Sequence, residues 1–360
     1  MAYVKEKDEN KILYYSLLNI CATVCVVWLH FNNEIHWYAP TLAWKQAVFV
    51  QVIAFWAVPI FFMLSGATLI NYRSRYTTKQ FFIKRIKRVL IPFLIWGCIF
   101  AIWRMHQGEL ILTHSNALEL QWAVINMFVN NQMEPVYWFF PPLFAIYLSM
   151  PALSCFTEKK NRPILRYLLF VGVITISIIP FTYNLICTIL NNGVGWWNSS
   201  WQLQILGGYL LFPLLGYWCS THDFKIAERI ICYLLAILSS IIRLVGIFYL
   251  FPRDGQKPQV LFDYLSFPSV FLALAIFIIF KYSNWSFIKR RKWLSHTVYK
   301  LADCSFGVYL IHIIILTKIE NISFFNLNVR HFLLPIVCYF FCVLLVYIVK
   351  KIPVLKFLFP

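Results

Sequence analysis

Apolar residues run along this chain in long, nearly unbroken stretches, not in the period-2 alternation of a half-buried strand or the narrow stripe of a surface helix. Ten stretches approach or reach the roughly 17–25 residues that cross a hydrocarbon core. They cover residues 12–31, 46–70, 89–103, 136–156, 164–183, 201–219, 229–250, 261–281, 303–319 and 332–349. The third is short and is expected to continue past Trp103. Segment 117–130 is apolar enough to lie at an interface or re-enter, and is left uncounted. The pattern predicts an all-α fold, a polytopic membrane helix bundle of about ten transmembrane helices. The first stretch lacks the basic lead and small-residue cleavage site of a secretion signal, so no cleaved leader is expected. The short loops leave no room for a soluble domain, and residues 1–360 are expected to form one transmembrane domain.

Charge sets the orientation. With an inside N-terminus, alternate loops carry 25 of the 32 Lys and Arg, among them Lys5, Lys7 and Lys11. The opposite loops carry only six: Lys45, Arg104, Arg253, Lys257, Lys318 and Arg330. Such asymmetry marks the cytoplasmic side, so both termini are expected there. Trp28, Trp37, Trp44, Trp196, Trp197 and Trp201 fall near the outer boundaries, as an aromatic belt would. No repeat at fixed spacing is visible, which disfavours a repeat-built transporter.

The composition agrees: 61% apolar, 19% aromatic and 13% charged residues, far from a soluble domain. The net charge of +18 does not imply nucleic acid, because the basic residues sit in short loops and not on a polar domain. Ten cysteines form no C-x-x-C pair and have no histidine at zinc spacing, so no metal is expected. Cys21/Cys25 and Cys338/Cys342 are i, i+4 pairs that read as small buried hydrophobes.

Polar side chains within lipid tend to face the bundle interior or a cavity. At about 100° per residue, Ser16, Asn19, Thr23 and His30 fall within an arc of about 60° on the first span. Interhelical hydrogen bonding accounts for Ser, Asn and Thr in such places. His30 adds a group that exchanges a proton near neutral pH. The ninth span repeats the arrangement with Ser305, Tyr309 and His312 at i, i+4 and i+7. In FFMLSG, Gly66 allows close helix approach and Ser65 stands beside it. Arg243 lies mid-span in SSIIRLVG with no acidic neighbour along the helix, so it needs a partner from elsewhere. Lys84, Arg85, Lys87 and Arg88 in KQFFIKRIKRVLIP are in part a topology signal, and guanidinium groups also clamp phosphates.

Together these stretches resemble the integral-membrane acyltransferase family 3, bacterial sugar and polysaccharide O-acyltransferases. The resemblance is carried, in family order, by SLLNICATVCVVWLH, FFMLSGATLI, FFIKRIKRVLIPF, VYWFFPPLFAIYLSMPAL and SFGVYLIH. It covers about 300 residues and implies ten helices with cytoplasmic termini. By this likeness His30 matches the proposed catalytic histidine, and Arg85 and Arg88 match the R-x-x-R associated with the acyl-CoA donor. Trp138, Tyr147 and Pro151 match the W…Y…P pattern, while Ser305, Tyr309 and His312 match the ninth-span signature. Two departures stand out. Where the family has D-x-x-R, this chain has Ser16 and Asn19, and Val136-Tyr137 precede Trp138 without the frequent histidine. Arg243 is the cation expected to replace the missing Arg.

The resemblance therefore implies a multi-pass protein of a bacterial inner or plasma membrane that moves an acyl group, acetyl first, from cytoplasmic acetyl-CoA to a hydroxyl. The acceptor would be a cell-surface glycan or lipid-linked sugar. The expected assignments are His30 as catalytic residue, Arg85 and Arg88 at the donor, and Asn19, Ser65, Trp138, Arg243, Ser305, Tyr309 and His312 along the substrate path. The rival readings are a glycan or lipid-linked-sugar exporter and a divergent member without activity.

Overall fold

A computed structural model describes residues 12–109, 117–190, 196–320 and 326–360. Lys5, Lys7 and Lys11 lie outside them. Fourteen helices matter here: α1 Leu13–His30, α2 Leu42–Ala54, α3 Ala57–Leu69, α4 Thr78–Arg85, α5 Ile91–His106, α6 Ala117–Val129 and α7 Phe140–Leu153. They continue as α8 Arg162–Gly172, α9 Ile179–Leu190, α10 Leu211–Thr221, α11 Ile226–Asp254, α12 Phe267–Tyr282, α13 Lys292–Glu320 and α14 Leu334–Lys351. Among the described residues there is no strand.

Among the described residues, eight continuous helical segments are long and apolar enough to cross a membrane. They account for eight of the ten expected spans, and the other two form shorter helices. In stretch 201–219 regular helix begins only at Leu211, because Gly208 turns the backbone left-handed at φ +63°. In stretch 261–281 it begins at Phe267, because residues 261–266 are held in a turn. There the Asp263 carbonyl accepts bonds from the Ser266 and Ser269 hydroxyls, at 2.7 Å each. Irregular backbone at this depth is tolerated where protein or water surrounds it. The third span starts earlier than the sequence suggests. Thr78–His106 is continuously helical through a π-turn at Ile86–Leu90, so the basic cluster rides on the helix and not in a loop.

α1 is the hub of the bundle, packing against α2, α3, α12, α13 and α14. The rim faces lipid. Along α11, Cys232, Ala236, Ser239, Arg243, Ile247 and Leu250 form the buried face, while Ile230, Leu234, Ile237, Ile241, Val245 and Phe248 are exposed. Trp37, Trp196 and Trp201 are exposed, consistent with an interfacial belt, but Trp44 departs from it. Its ring is buried edge-on among Tyr38, Phe248 and Phe251. α6 lies on the bundle's outside with Leu118, Trp122, Ile125 and Val129 exposed.

The tightest crossing joins α3 to α10. A methyl group built on Gly66 would overlap the Pro213 carbonyl, and one on Gly216 would overlap the Met63 carbonyl. Backbone meets backbone in both directions, which is how small residues let membrane helices approach. No side chain is available to swing aside. Gly66→Ala and Gly216→Ala are each expected to cost about 1–3 kcal/mol or more through overpacking, measured as a lower unfolding midpoint of the detergent-purified protein. A midpoint unchanged in both variants would contradict this crossing.

Candidate functional site

A single large cavity of about 1380 Å³ runs beside α1, lined by Ser16, Asn19 and His30 of that helix. From Ser16 to His30 the helix rises about 21 Å, most of the thickness of a hydrocarbon core. The polar stripe of the first span is therefore a cavity wall. Thr23, the other member of the stripe, instead turns its hydroxyl back to the Asn19 carbonyl at 2.8 Å. Asn19 donates from Nδ2 to the Ala302 carbonyl of α13 at 3.2 Å, so its amide is spent on helix pairing while its edge lines the cavity.

One rim is basic, with Arg75, Lys84, Arg85 and Arg88. α4 is set by a capping box: Thr77 Oγ1 accepts from the Gln80 N–H, and Gln80 Oε1 accepts from the Thr77 N–H at 3.0 Å. This fixes where Arg85 emerges. Its guanidinium lies 5.7 Å from the Phe81 ring centre and 5.6 Å from that of Tyr147. Its Nε is buried and has no hydrogen-bond partner in the protein. A buried cationic donor without an acceptor is costly unless a ligand supplies one. Lys84 stands 3.8 Å over the Tyr76 ring, while Arg88 is exposed. Planar guanidinium groups grip phosphate oxygens two at a time, so the rim suits a phosphorylated ligand.

Farther along, Ser65, Trp138, Ser305 and Tyr309 line the wall. Tyr309 donates its hydroxyl to the Val136 carbonyl at 2.5 Å, and Tyr137 donates to the Leu310 carbonyl at 2.8 Å. These reciprocal bonds lock α13 to the turn that carries Trp138. Trp138 stacks on Tyr264 at 5.2 Å, and Tyr264 stacks on Phe55 at 4.3 Å.

His30 and His312 meet with ring centres 5.2 Å apart. His312 is fully buried, and its Nδ1 lies 2.8 Å from the Tyr309 carbonyl and 3.2 Å from that of Val308. Carbonyls only accept, so Nδ1 carries the proton, and in the neutral ring Nε2 holds a lone pair. That Nε2 is buried without a protein partner. His30 thus faces the cavity, backed by a histidine with spare acceptor capacity.

Residues 12–351 match the model of the acyltransferase 3 family, described as an acyltransferase domain. The chain belongs to the acyltransferase 3 family. No curated protein and no solved structure matches it. It is a multi-pass membrane acyltransferase.

In this acyltransferase the cavity gathers eight of the ten sequence-derived candidates: His30, Arg85, Arg88, Asn19, Ser65, Trp138, Ser305 and Tyr309. His312 sits one layer behind His30, out of the lining. Arg243 is a correction. It is 1% exposed and does not line the cavity. Its Nε donates to the Leu261 carbonyl at 3.1 Å, Nη2 donates to Ser269 Oγ at 2.6 Å, and the guanidinium lies 4.4 Å over Phe55. The neighbouring carbonyl and hydroxyl satisfy its donors and the nearby Asp263 carboxylate acts on its charge, so it does not replace the missing Arg of α1. It braces the turn that presents Tyr264.

The sequence missed the second rim. His36, Gln51 and Lys257 also line the cavity, beyond His30. Only charge rarity hinted at it, since Lys257 is one of six basic residues in the outer loops. Also missed was Glu34, which braces the turn after α1. Its Oε1 lies 3.4 Å from His331 Nε2 and 3.5 Å from Arg330 Nη2. Burial pushes the Glu34 carboxyl up, but the His331 bond and the Arg330 charge outweigh it, leaving the group below its ordinary range.

Arg243→Leu is expected to strand the Leu261 carbonyl and cost about 1–3 kcal/mol, seen as a lower thermal midpoint. Because the Glu34 carboxyl is depressed in the folded state, its contribution is present above the ordinary carboxylate range and is lost as pH falls through the folded value. As pH falls from about 5 to about 3 the stability of wild type should therefore fall more than that of Glu34→Gln, as followed by thermal melts.

Proposed function

We propose that this membrane acyltransferase moves an acyl group, acetyl first, from cytoplasmic acyl-CoA to a hydroxyl of a cell-surface glycan or its lipid-linked precursor, in a bacterial inner or plasma membrane. The observation that carries the reading is the occupancy of one cavity by two unlike groups. On one rim Arg85 has a buried donor in need of an acceptor, and His30 lines the same cavity. The charge bias of the loops makes the Arg85 end the cytoplasmic one.

Arg85 and Arg88 bind the donor phosphates, and the thioester arm follows the Ser16–Asn19 wall toward His30. The acceptor enters from the opposite rim. Its hydroxyl oxygen attacks the thioester carbonyl as His30 takes the hydroxyl proton. The new C–O bond forms, the C–S bond breaks, and the proton passes from His30 to the departing thiolate. His312, with its proton fixed on Nδ1, leaves an unpartnered Nε2 lone pair one layer behind the His30 ring. In this reading the phosphates anchor and the thioester arm delivers.

A cavity reaching both rims would also serve an exporter of glycan or lipid-linked sugar. That reading gives no use to a phosphate-type clamp at the far end from the acceptor. His30→Gln is expected to lower acetyl transfer about 10²–10⁴-fold while leaving acetyl-CoA binding near wild type. Arg85→Ala/Arg88→Ala is expected to weaken acetyl-CoA binding roughly tenfold or more. Both are measured on detergent-purified protein with radiolabelled acetyl-CoA. Absence of saturable acetyl-CoA binding by folded wild type would overturn the proposal in favour of export.

A further inference from the structure

The rim beyond His30 has its own chemistry. Lys257 Nζ lies 3.3 Å from His36 Nδ1 and 4.3 Å over the Phe262 ring centre. An ammonium only donates, so His36 Nδ1 accepts, which places its ring proton on Nε2 as a second outward donor. Neither residue has a carboxylate partner: among the described residues no ion pair includes Lys257 or His36. Nearby acids are engaged elsewhere, Asp254 by Arg253 at 2.5 Å and Glu34 by Arg330 and His331.

A third group faces the same space. Gln51, 7% exposed, lines the cavity with a buried Oε1 that has no partner in the protein. One turn further along α2 is Phe55, whose ring lies edge-on to Phe262 at 6.2 Å. Gln51, Phe55, Phe262 and Lys257 all line this cavity. Two donors of positive character and one free carbonyl acceptor make a set that matches an anion bearing hydroxyl groups.

We infer that His36, Lys257 and Gln51 form an acceptor-recognition site for an oxyanion, a phosphate ester or a carboxylate, carried close to the hydroxyl that is acylated. The inference rests on the acyl-transfer reading above and specifies its acceptor. Lys257 and His36 grip the oxyanion, and the Gln51 carbonyl accepts from a neighbouring sugar hydroxyl. Burial holds the Lys257 ammonium down to about 8, and burial together with the Lys257 charge lowers His36. A bound oxyanion offsets the Lys257 penalty, since it favours the charged ammonium, while neutral His36 keeps Nδ1 as acceptor and donates from Nε2. The two sources of such an anion differ: a lipid-linked sugar presents phosphate, an acidic glycan presents carboxylate.

The test uses full-length protein in detergent with three soluble probes, glucose, glucose 1-phosphate and glucuronate, titrated by ligand-observed NMR beside acetyl-CoA. Wild type is expected to prefer at least one anionic sugar over glucose by roughly tenfold. Lys257→Gln is expected to lose most of that preference, and Lys257→Glu to reverse it, with acetyl-CoA binding retained as proof of folding. A preference for glucose 1-phosphate assigns the phosphate source, and one for glucuronate the carboxylate source. Equal binding of all three sugars, or a preference that survives Lys257→Glu, overturns the site while acetyl-CoA binding still stands. Loss of acetyl-CoA binding by wild type instead overturns the acyl-transfer reading itself.

Discussion

A polar side chain surrounded by hydrocarbon must find a partner or face water, and the bundle is organised by that requirement. α1 carries the consequence. Neighbouring helices enclose it, so Ser16, Asn19 and His30 have no lipid to avoid, only a cavity to line. Thr23 satisfies the same rule by bonding its own backbone.

Positioning depends on contacts that never touch the cavity. Arg243 holds the chain around Leu261, which sets Tyr264, which stacks on Phe55 and Trp138. The Tyr137–Leu310 and Tyr309–Val136 bonds fix the same wall from the other side. A brace deep in α11 is thus coupled by ring stacking to the middle of the cavity. This explains how a membrane-buried arginine earns its place without meeting a substrate.

The hydrophobic runs made the helical fold legible. The helical angle of residues 16, 19 and 30 foretold a shared polar face because one helix fixes those angles by itself. The partners of Arg243 were hidden, since Leu261 and Ser269 offer a carbonyl and a hydroxyl that carry no sequence signal. The shortened helices were hidden likewise, because Gly208 and the Asp263 turn break helix inside apolar stretches. His36 and Lys257 are 221 residues apart, and only tertiary packing brings them together.

A passage that touches both faces of a membrane also threatens to leak. Here both mouths are positively charged, with Arg75, Lys84, Arg85 and Arg88 at one end and Lys257 at the other. Fixed positive charge at a pore entrance raises the barrier to cations and protons. Basic groups that would suit anionic ligands at the rims therefore also oppose the entry of cations into the cavity.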